Sequence, residues 1–277
     1  AFYEKRLARV HPSYLLTIAV MLGVALATRA YGGNRAFMLR DVLSHLTYTQ
    51  MLAYDTYYAT NLGGSLWTLA LEMQFYLIFP LLARAFRRFP AATFAAMLGL
   101  ALAARGYIAA AHSDVSLYFN QLPAYLDTFA LGMAAALAHV RLSRVKHGAG
   151  LRLICSAATL ASLWLLYCTA KVQAGCPSTE AIRLGQMNRR LTMGLLGATL
   201  LVASANAGWI VRHILANPAT RFVSAVSMQF YIWHQTLAVW LVQSRIIPSE
   251  FANPNYDGDL IWQKQYTFAC FAAALLL

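Results

Sequence analysis

An all-α, polytopic bundle of transmembrane helices is the fold class that three observations predict. Apolar residues make up 60% of the 277 residues and charged residues only 12%, whereas a soluble globule is about half apolar and roughly a quarter charged. The apolar residues gather in runs long enough to cross roughly 30 Å of hydrocarbon at about 20 helical residues each. The 22 Lys and Arg, against 10 Asp and Glu, stand in short clusters between those runs, as loop charge does in membrane proteins. Together these exclude an ordinary soluble enzyme, a disordered chain and a coiled coil. The net charge of +12 forms no continuous stripe, so membrane lipids rather than nucleic acid are the expected partners.

Eight spans, seven full and one truncated, are expected at 14–31, 66–83, 91–111, 122–140, 151–170, 191–208, 222–243 and from 266 onward. With no internal repeat or soluble segment, residues 1–277 read as one membrane domain. Ahead of the first span, Arg6 and Arg9 are three residues apart and share a helix face. Two guanidiniums at a membrane surface suit a phosphate, and lipid headgroups compete for that role. The stretch 40–64, with Tyr48, Tyr54, Tyr57 and Tyr58, is too polar to span and is expected to lie in the interface or dip back into the bundle. The outer loop 171–190 carries the same ambiguity. Cys155, Cys168, Cys176 and Cys270 lack CxxC or His spacing, so no metal site is expected and packing is their simplest use.

Placing the N-terminus in the cytoplasm puts twelve Lys and Arg inside and nine outside, with the clusters 84–88 and 141–152, Lys146 among them, on the inner face. Asp257 counts among the outer acids. The bias favours that orientation. His11, His45, His112, His139, His147 and His213 fall at span ends or in loops, where interfacial solvation accounts for them.

Four ionisable residues lie within spans: Glu72, Arg105, Asp127 and His234. A charge at the bilayer centre costs at least about 2.5 to 3.5 kcal/mol, so such residues usually turn inward and serve function. At about 1.5 Å per residue, Glu72 and Arg105 lie roughly 9 Å from the outer edge, Asp127 about 8 Å and His234 about 12 Å. Four helices thus contribute to one expected polar layer. Arg105 with Asp127 also reads as a structural ion pair, and Glu72 or His234 as a helix-bridging hydrogen bond. His234 has the side chain best suited to proton transfer near neutral pH.

These residues sit in segments that resemble a known family. The opening 2–14, with Arg6, Arg9, Pro12 and Tyr14, resembles the Arg-x-x-Arg-[Ile/Val]-x-Pro-x-Tyr segment of the membrane-bound acyltransferase 3 family. Ser65-Leu66-Trp67-Thr68-Leu69, followed by Glu72, Phe75 and Tyr76, matches its Ser-Leu-Trp-[Ser/Thr]-Leu-x-x-Glu-x-x-Phe-Tyr signature almost letter for letter. Asp127 to Gly132 is similar to its Asp-x-Phe-x-x-Gly helix. Ser227, Tyr231 and His234 are similar to its Ser-x-x-x-Tyr-x-x-His helix.

The resemblance implies a multi-pass enzyme of the bacterial cytoplasmic membrane that moves an acyl group, commonly acetyl, from acyl-coenzyme A to a carbohydrate hydroxyl at the envelope. It implies ten spans in the whole family, so the chain, which begins at Ala1 and ends in an apolar run at Leu277, reads as a fragment lacking two spans before Ala1. A His regarded as catalytic belongs to that absent part, and the fragment alone is expected to be inactive. The donor's phosphates would meet Arg6 and Arg9. Glu72 would orient a base or the acceptor, and His234 would polarise the thioester carbonyl or hold the site together. Trp67, Tyr76, Arg105, Asp127 and Tyr231 would bind substrate or maintain the helices. A transporter or flippase of a saccharide or lipid-linked substrate also uses a charged layer between two entrances, and a non-catalytic member of the fold is a third reading.

Overall fold

The computed structural model describes residues 2–112, 114–145, 148–176, 178–251 and 259–276. Ala1, Lys146, His147, Asp257 and Leu277 lie outside them. Every described element is helical: α1 (Phe2–Ala27), α2 (Arg35–Leu46), a 3-10 turn (Gln50–Leu52), α3 (Tyr54–Tyr58), a second 3-10 turn (Gly64–Leu66), α4 (Trp67–Arg88), α5 (Pro90–Ala111), α6 (Leu122–Leu142), α7 (Ala149–Ala174), α8 (Thr179–Asn206), α9 (Trp209–Leu215), α10 (Pro218–Ser244) and α11 (Leu260–Leu276). All eight expected spans lie largely in helices, but the first ends at Ala27 rather than at 31 and the sixth at Asn206 rather than at 208. Among the described residues, four helices, Phe2–Ala27, Gly64–Arg88, Pro90–Ala111 and Ala149–Ala174, are long and apolar enough to cross a membrane. A fifth span results if α8 and α9, bent by 112° at their junction, count as one. The difference from eight has a compositional cause. α6 carries Asp127, His139 and Arg141, α10 is interrupted by polar residues, and α11 is described over only 17 residues.

The chain forms two compact units. The first comprises residues 1–73 and 221–277. After α1 the chain reverses through Gly32 and Gly33, both at positive φ, and Asn34 caps α2 by accepting from the Phe37 amide at 3.0 Å. The aromatic stretch 40–64 is built of short helices, none long enough to span. Gly63, at φ 115°, makes the turn into α4 in a conformation that side-chain-bearing residues avoid.

The second unit comprises residues 74–220. Pro90 begins α5 and Pro123 lies in the first turn of α6, where a missing N–H costs nothing. Phe75 stacks on Phe129 at 3.7 Å, with Met97 and Ala130 beside them. Gly194 lets α8 approach α6, since a Cβ there would meet Leu131 at 3.0 Å. The expected outer loop 171–190 is instead mostly helix. α7 runs on to Ala174 and α8 starts at Thr179, capped by Ser178 accepting from the Ala181 amide at 3.1 Å. Arg183, Arg189 and Arg190 had masked these turns, because hydropathy sees charge but not a helix that buries it.

Candidate functional site

The first unit packs the start of α4 and the middle of α1 against the middle of α10. Ser13 of α1 accepts a hydrogen bond from the Gln229 amide of α10 at 2.8 Å. Ser65, just before α4, donates from its hydroxyl to the Ile232 carbonyl of α10 at 2.7 Å. Thr68 of α4 shares a hydrogen bond with Tyr231, and Gly64 lies so close to the Gln235 side chain that an added Cβ would meet it at 2.9 Å. The Ser-Leu-Trp-Thr segment and the Tyr-x-x-His segment are therefore packed together.

Glu72 follows Thr68 by one helical turn on the same face, and is half-buried. Half-buried Trp67 meets Tyr57 edge-on at 6.4 Å. His234 is half-buried; its Nδ1–H donates to the Tyr231 carbonyl at 2.6 Å. Because a carbonyl can only accept, Nδ1 carries the proton, and Nε2 of the neutral ring presents a lone pair. Phe230 lies parallel to the imidazole, 6.0 Å away, and Cys270 donates to the His234 carbonyl at 3.4 Å. Along their helix axes, Arg9 and His234 lie about 6 Å and about 7.5 Å from the Ser13–Gln229 bond. Arg9 is exposed, and Arg6 is half-buried with its guanidinium 5.6 Å from the Phe2 ring centroid.

The first unit also holds a polar network that the sequence reading missed. His45, expected in a solvated loop, is fully buried, as is Asp41 one helical turn before it. His45 Nδ1–H donates to the Asp41 carbonyl at 2.8 Å, with the carboxylate 3.3 Å away. The other carboxylate oxygen accepts from Tyr31 at 2.9 Å, Thr60 at 3.1 Å and the Asn61 amide at 3.2 Å. Burial pushes the Asp41 carboxyl up, but hydrogen bonding and charge from His45, with Thr60 and Tyr31, outweigh it and hold it below the usual carboxylate range. Tyr14 donates to the His45 carbonyl at 2.9 Å, and Gln50 donates to the Tyr14 hydroxyl at 3.2 Å and to the Leu66 carbonyl at 3.3 Å. The network ends on the residue before Trp67. The Asp-x-x-x-His spacing on a helix was the available signal, and nothing in composition showed that the helix would be buried. The other described histidines differ less from expectation: His11 bonds to Tyr48, His112 stacks on Tyr118, and His139 and His213 are exposed.

The second unit brings two more predicted residues together. Arg105 and Asp127 pair at 2.6 Å, buried, and Arg105 also donates to the Ala124 carbonyl at 3.0 Å. Arg190, placed in an outer loop by the sequence reading, is buried on α8 and donates to Phe119 and Ala124 carbonyls at 2.6 and 3.2 Å. Its guanidinium sits 3.6 Å from the Tyr125 ring centroid. Tyr76 is half-buried against the Phe75–Met97–Ala130 core.

Among proteins of known function, the chain is 30% identical over 170 residues to Nodulation protein 10 of Rhizobium leguminosarum bv. viciae, a match covering 53% of this chain and 44% of that protein. The chain thus matches less than half the length of that relative. No solved structure matches it. The model of the acyltransferase 3 family, described as an acyltransferase domain, matches residues 1–277. With the Ser65-to-Thr68 start of the signature packed on the Tyr231–His234 helix and the match running the whole length, this multi-pass membrane chain belongs to the acyltransferase 3 family.

Proposed function

We propose that the chain belongs to an integral-membrane O-acyltransferase that moves an acyl group, acetyl in the simplest case, from acyl-coenzyme A to a hydroxyl of an envelope or exported carbohydrate. The observation that carries this reading is the packing of the Glu72-bearing start of α4 against the His234-bearing stretch of α10 through Ser65 and Thr68. In the reaction the acceptor hydroxyl attacks the thioester carbonyl. The C–O bond forms, the C–S bond breaks, and coenzyme A leaves as the thiol carrying the proton.

With Nδ1 committed as a donor, the neutral form of His234 has an Nε2 lone pair that can take the hydroxyl proton, alongside the His that the family resemblance places in the absent part. Polarising the carbonyl would require a donor at Nε2, which only the imidazolium has. Glu72 orients the acceptor, and Arg6 and Arg9 meet the donor's phosphates at the cytoplasmic face. The bacterial cytoplasmic membrane, with the start of α1 inside, is the setting consistent with this order.

The test uses radiolabelled acetyl-coenzyme A and membranes containing the full-length protein. Glu72→Gln and His234→Gln are each expected to lower label transfer to envelope carbohydrate by about 100-fold or more, the usual scale for a positioned acid or base. Arg9→Ala is expected to raise the donor KM. Unchanged transfer in both Glu72→Gln and His234→Gln at equal expression refutes the assignment.

A further inference from the structure

We infer that Gln50 is a positioning residue of the acyl-transfer site: it fixes the start of α4, and with it Glu72, against the helix that carries Arg9. The inference rests on the acyl transfer proposed above. Gln50 is 1% exposed and lies between two fully buried residues, Tyr14 of α1 and Leu66, the residue before α4. Its side-chain nitrogen donates to the Tyr14 hydroxyl at 3.2 Å and to the Leu66 carbonyl at 3.3 Å. A carbonyl only accepts, so the nitrogen faces Leu66, and the two N–H groups of one atom serve two helices. Oε1 has no hydrogen-bond partner among the described residues, so the hydrogen bonding of this side chain rests on that nitrogen alone.

Both sides of the bridge are themselves held. Thr56 donates from its hydroxyl to the Gln50 carbonyl at 2.8 Å. Tyr14 donates to the His45 carbonyl at 2.9 Å, and its ring stacks on Tyr48 at 4.6 Å. The segment leading into α4 has a second anchor at Asp41, where one carboxylate oxygen accepts from the Thr60 hydroxyl and the Asn61 amide, and Thr60 accepts in turn from the Leu62 amide at 3.0 Å. The Gly63 turn lies between the two anchors.

The bridge stands where the helices of the proposed site are tied together. Ser13, next to Tyr14, accepts from Gln229, and Ser65, next to Leu66, donates to Ile232, both on α10 two or more residues before His234. Along the helix axes Arg9 lies about 7.5 Å from Tyr14, and Glu72 about 9 Å from Leu66. Gln50 therefore acts through a hydroxyl and a backbone carbonyl, and a misplacement of about 1 Å at a reacting centre costs up to about 100-fold in rate.

Full-length wild type, Gln50→Met, Tyr14→Phe and Leu241→Ala would be compared for unfolding temperature, for transfer of label from acetyl-coenzyme A to envelope carbohydrate across donor concentrations, and for amide hydrogen exchange over residues 60–72. Methionine has similar length and no donor. Gln50→Met is expected to lower the maximal rate per folded molecule about tenfold or more, with the donor KM within about twofold of wild type. Exchange of the Asn61, Leu62 and Leu66 amides, all hydrogen-bonded in wild type, is expected to quicken. Tyr14→Phe removes one of the two acceptors, and is expected to show the same pattern at smaller size; it decides the matter if Gln50→Met does not fold. Leu241→Ala, which opens buried space on α10 nine residues beyond Ile232, is expected to lower the unfolding temperature and keep the rate per folded molecule. A wild-type rate per folded molecule in Gln50→Met, a raised donor KM at unchanged maximal rate, or unchanged exchange over 60–72 overturns the inference. Wild type that transfers no label, while Gln50→Met still quickens exchange at those amides, keeps Gln50 as the residue that fixes α4 and refutes the acyl-transfer reading instead.

Discussion

The two units bury charge with different partners. In the second, Arg105 meets Asp127 from another helix, and Arg190 is spent on the Phe119 and Ala124 carbonyls and the Tyr125 ring. In the first, Asp41 and His45 lie one turn apart on the same helix, and one Asp41 carboxylate oxygen collects Tyr31, Thr60 and the Asn61 amide. Among the described residues, each unit also keeps buried polar atoms without a hydrogen-bond partner, His45 Nε2 and Gln50 Oε1 in the first and Thr128 Oγ1 and Arg189 Nη1 in the second. The comparison teaches that depth in the membrane, which the sequence supplies, does not decide which partner a buried charge finds; helix packing does.

The strongest way to break this comparison is to remove one partner of the closed pair. Asp127→Ala leaves Arg105 buried without its counter-charge, only its bond to the Ala124 carbonyl remaining, and is expected to cost about 3 to 5 kcal/mol of stability, read as a fall in unfolding temperature in detergent. The double variant Arg105→Met with Asp127→Leu is expected to recover most of that loss, and a double variant no better than Asp127→Ala would argue that the pair does more than hold helices. Arg190→Ala removes hydrogen bonds to carbonyls and the contact with Tyr125, and a loss of about 2 kcal/mol is expected in the same measurement.

In the first unit, Gly63→Ala forces a Cβ onto a residue at φ 115°, for an expected loss of about 1 to 2 kcal/mol. Because the same turn sets α4 against α10, acyl transfer should fall in Gly63→Ala by more than the loss of folded protein explains. The smallest effect concerns acid. The folded-state Asp41 carboxyl titrates below its unfolded value, so it stabilises the fold above the ordinary carboxylate range, and that contribution disappears as pH falls through the lowered value. Unfolding temperature followed from pH 7 downward should therefore fall less steeply in Asp41→Asn than in wild type, with the two curves converging below about pH 4. Parallel curves would show that Asp41 is held no differently in the folded and unfolded chains.

Much of the fold was legible. Apolar runs marked eight stretches that lie largely in helices, though only four or five of the described helices are long and apolar enough to span. Glu72, Arg105, Asp127 and His234 were legible for the converse reason, being ionisable groups where hydropathy forbids them. Arg190 was not, since it precedes the apolar run of α8 and only the fold shows that its helix starts eleven residues earlier, at Thr179. His45 escaped because α2 is short and polar enough to look like a solvated loop.

What the sequence by itself determined is the family, the helical class and the presence of unusual charges within apolar runs, all of which depend on residue type and spacing along one helix. The pairing of Arg105 with Asp127, the proton on His234 Nδ1, the contact of Ser65 and Thr68 with α10, and the unmet acceptors on His45 and Gln50 were decided only by tertiary structure. Each is a relation between atoms set by helix packing and local backbone geometry, and hydrogen-bond satisfaction depends on such geometry, which no count of residues along the chain contains.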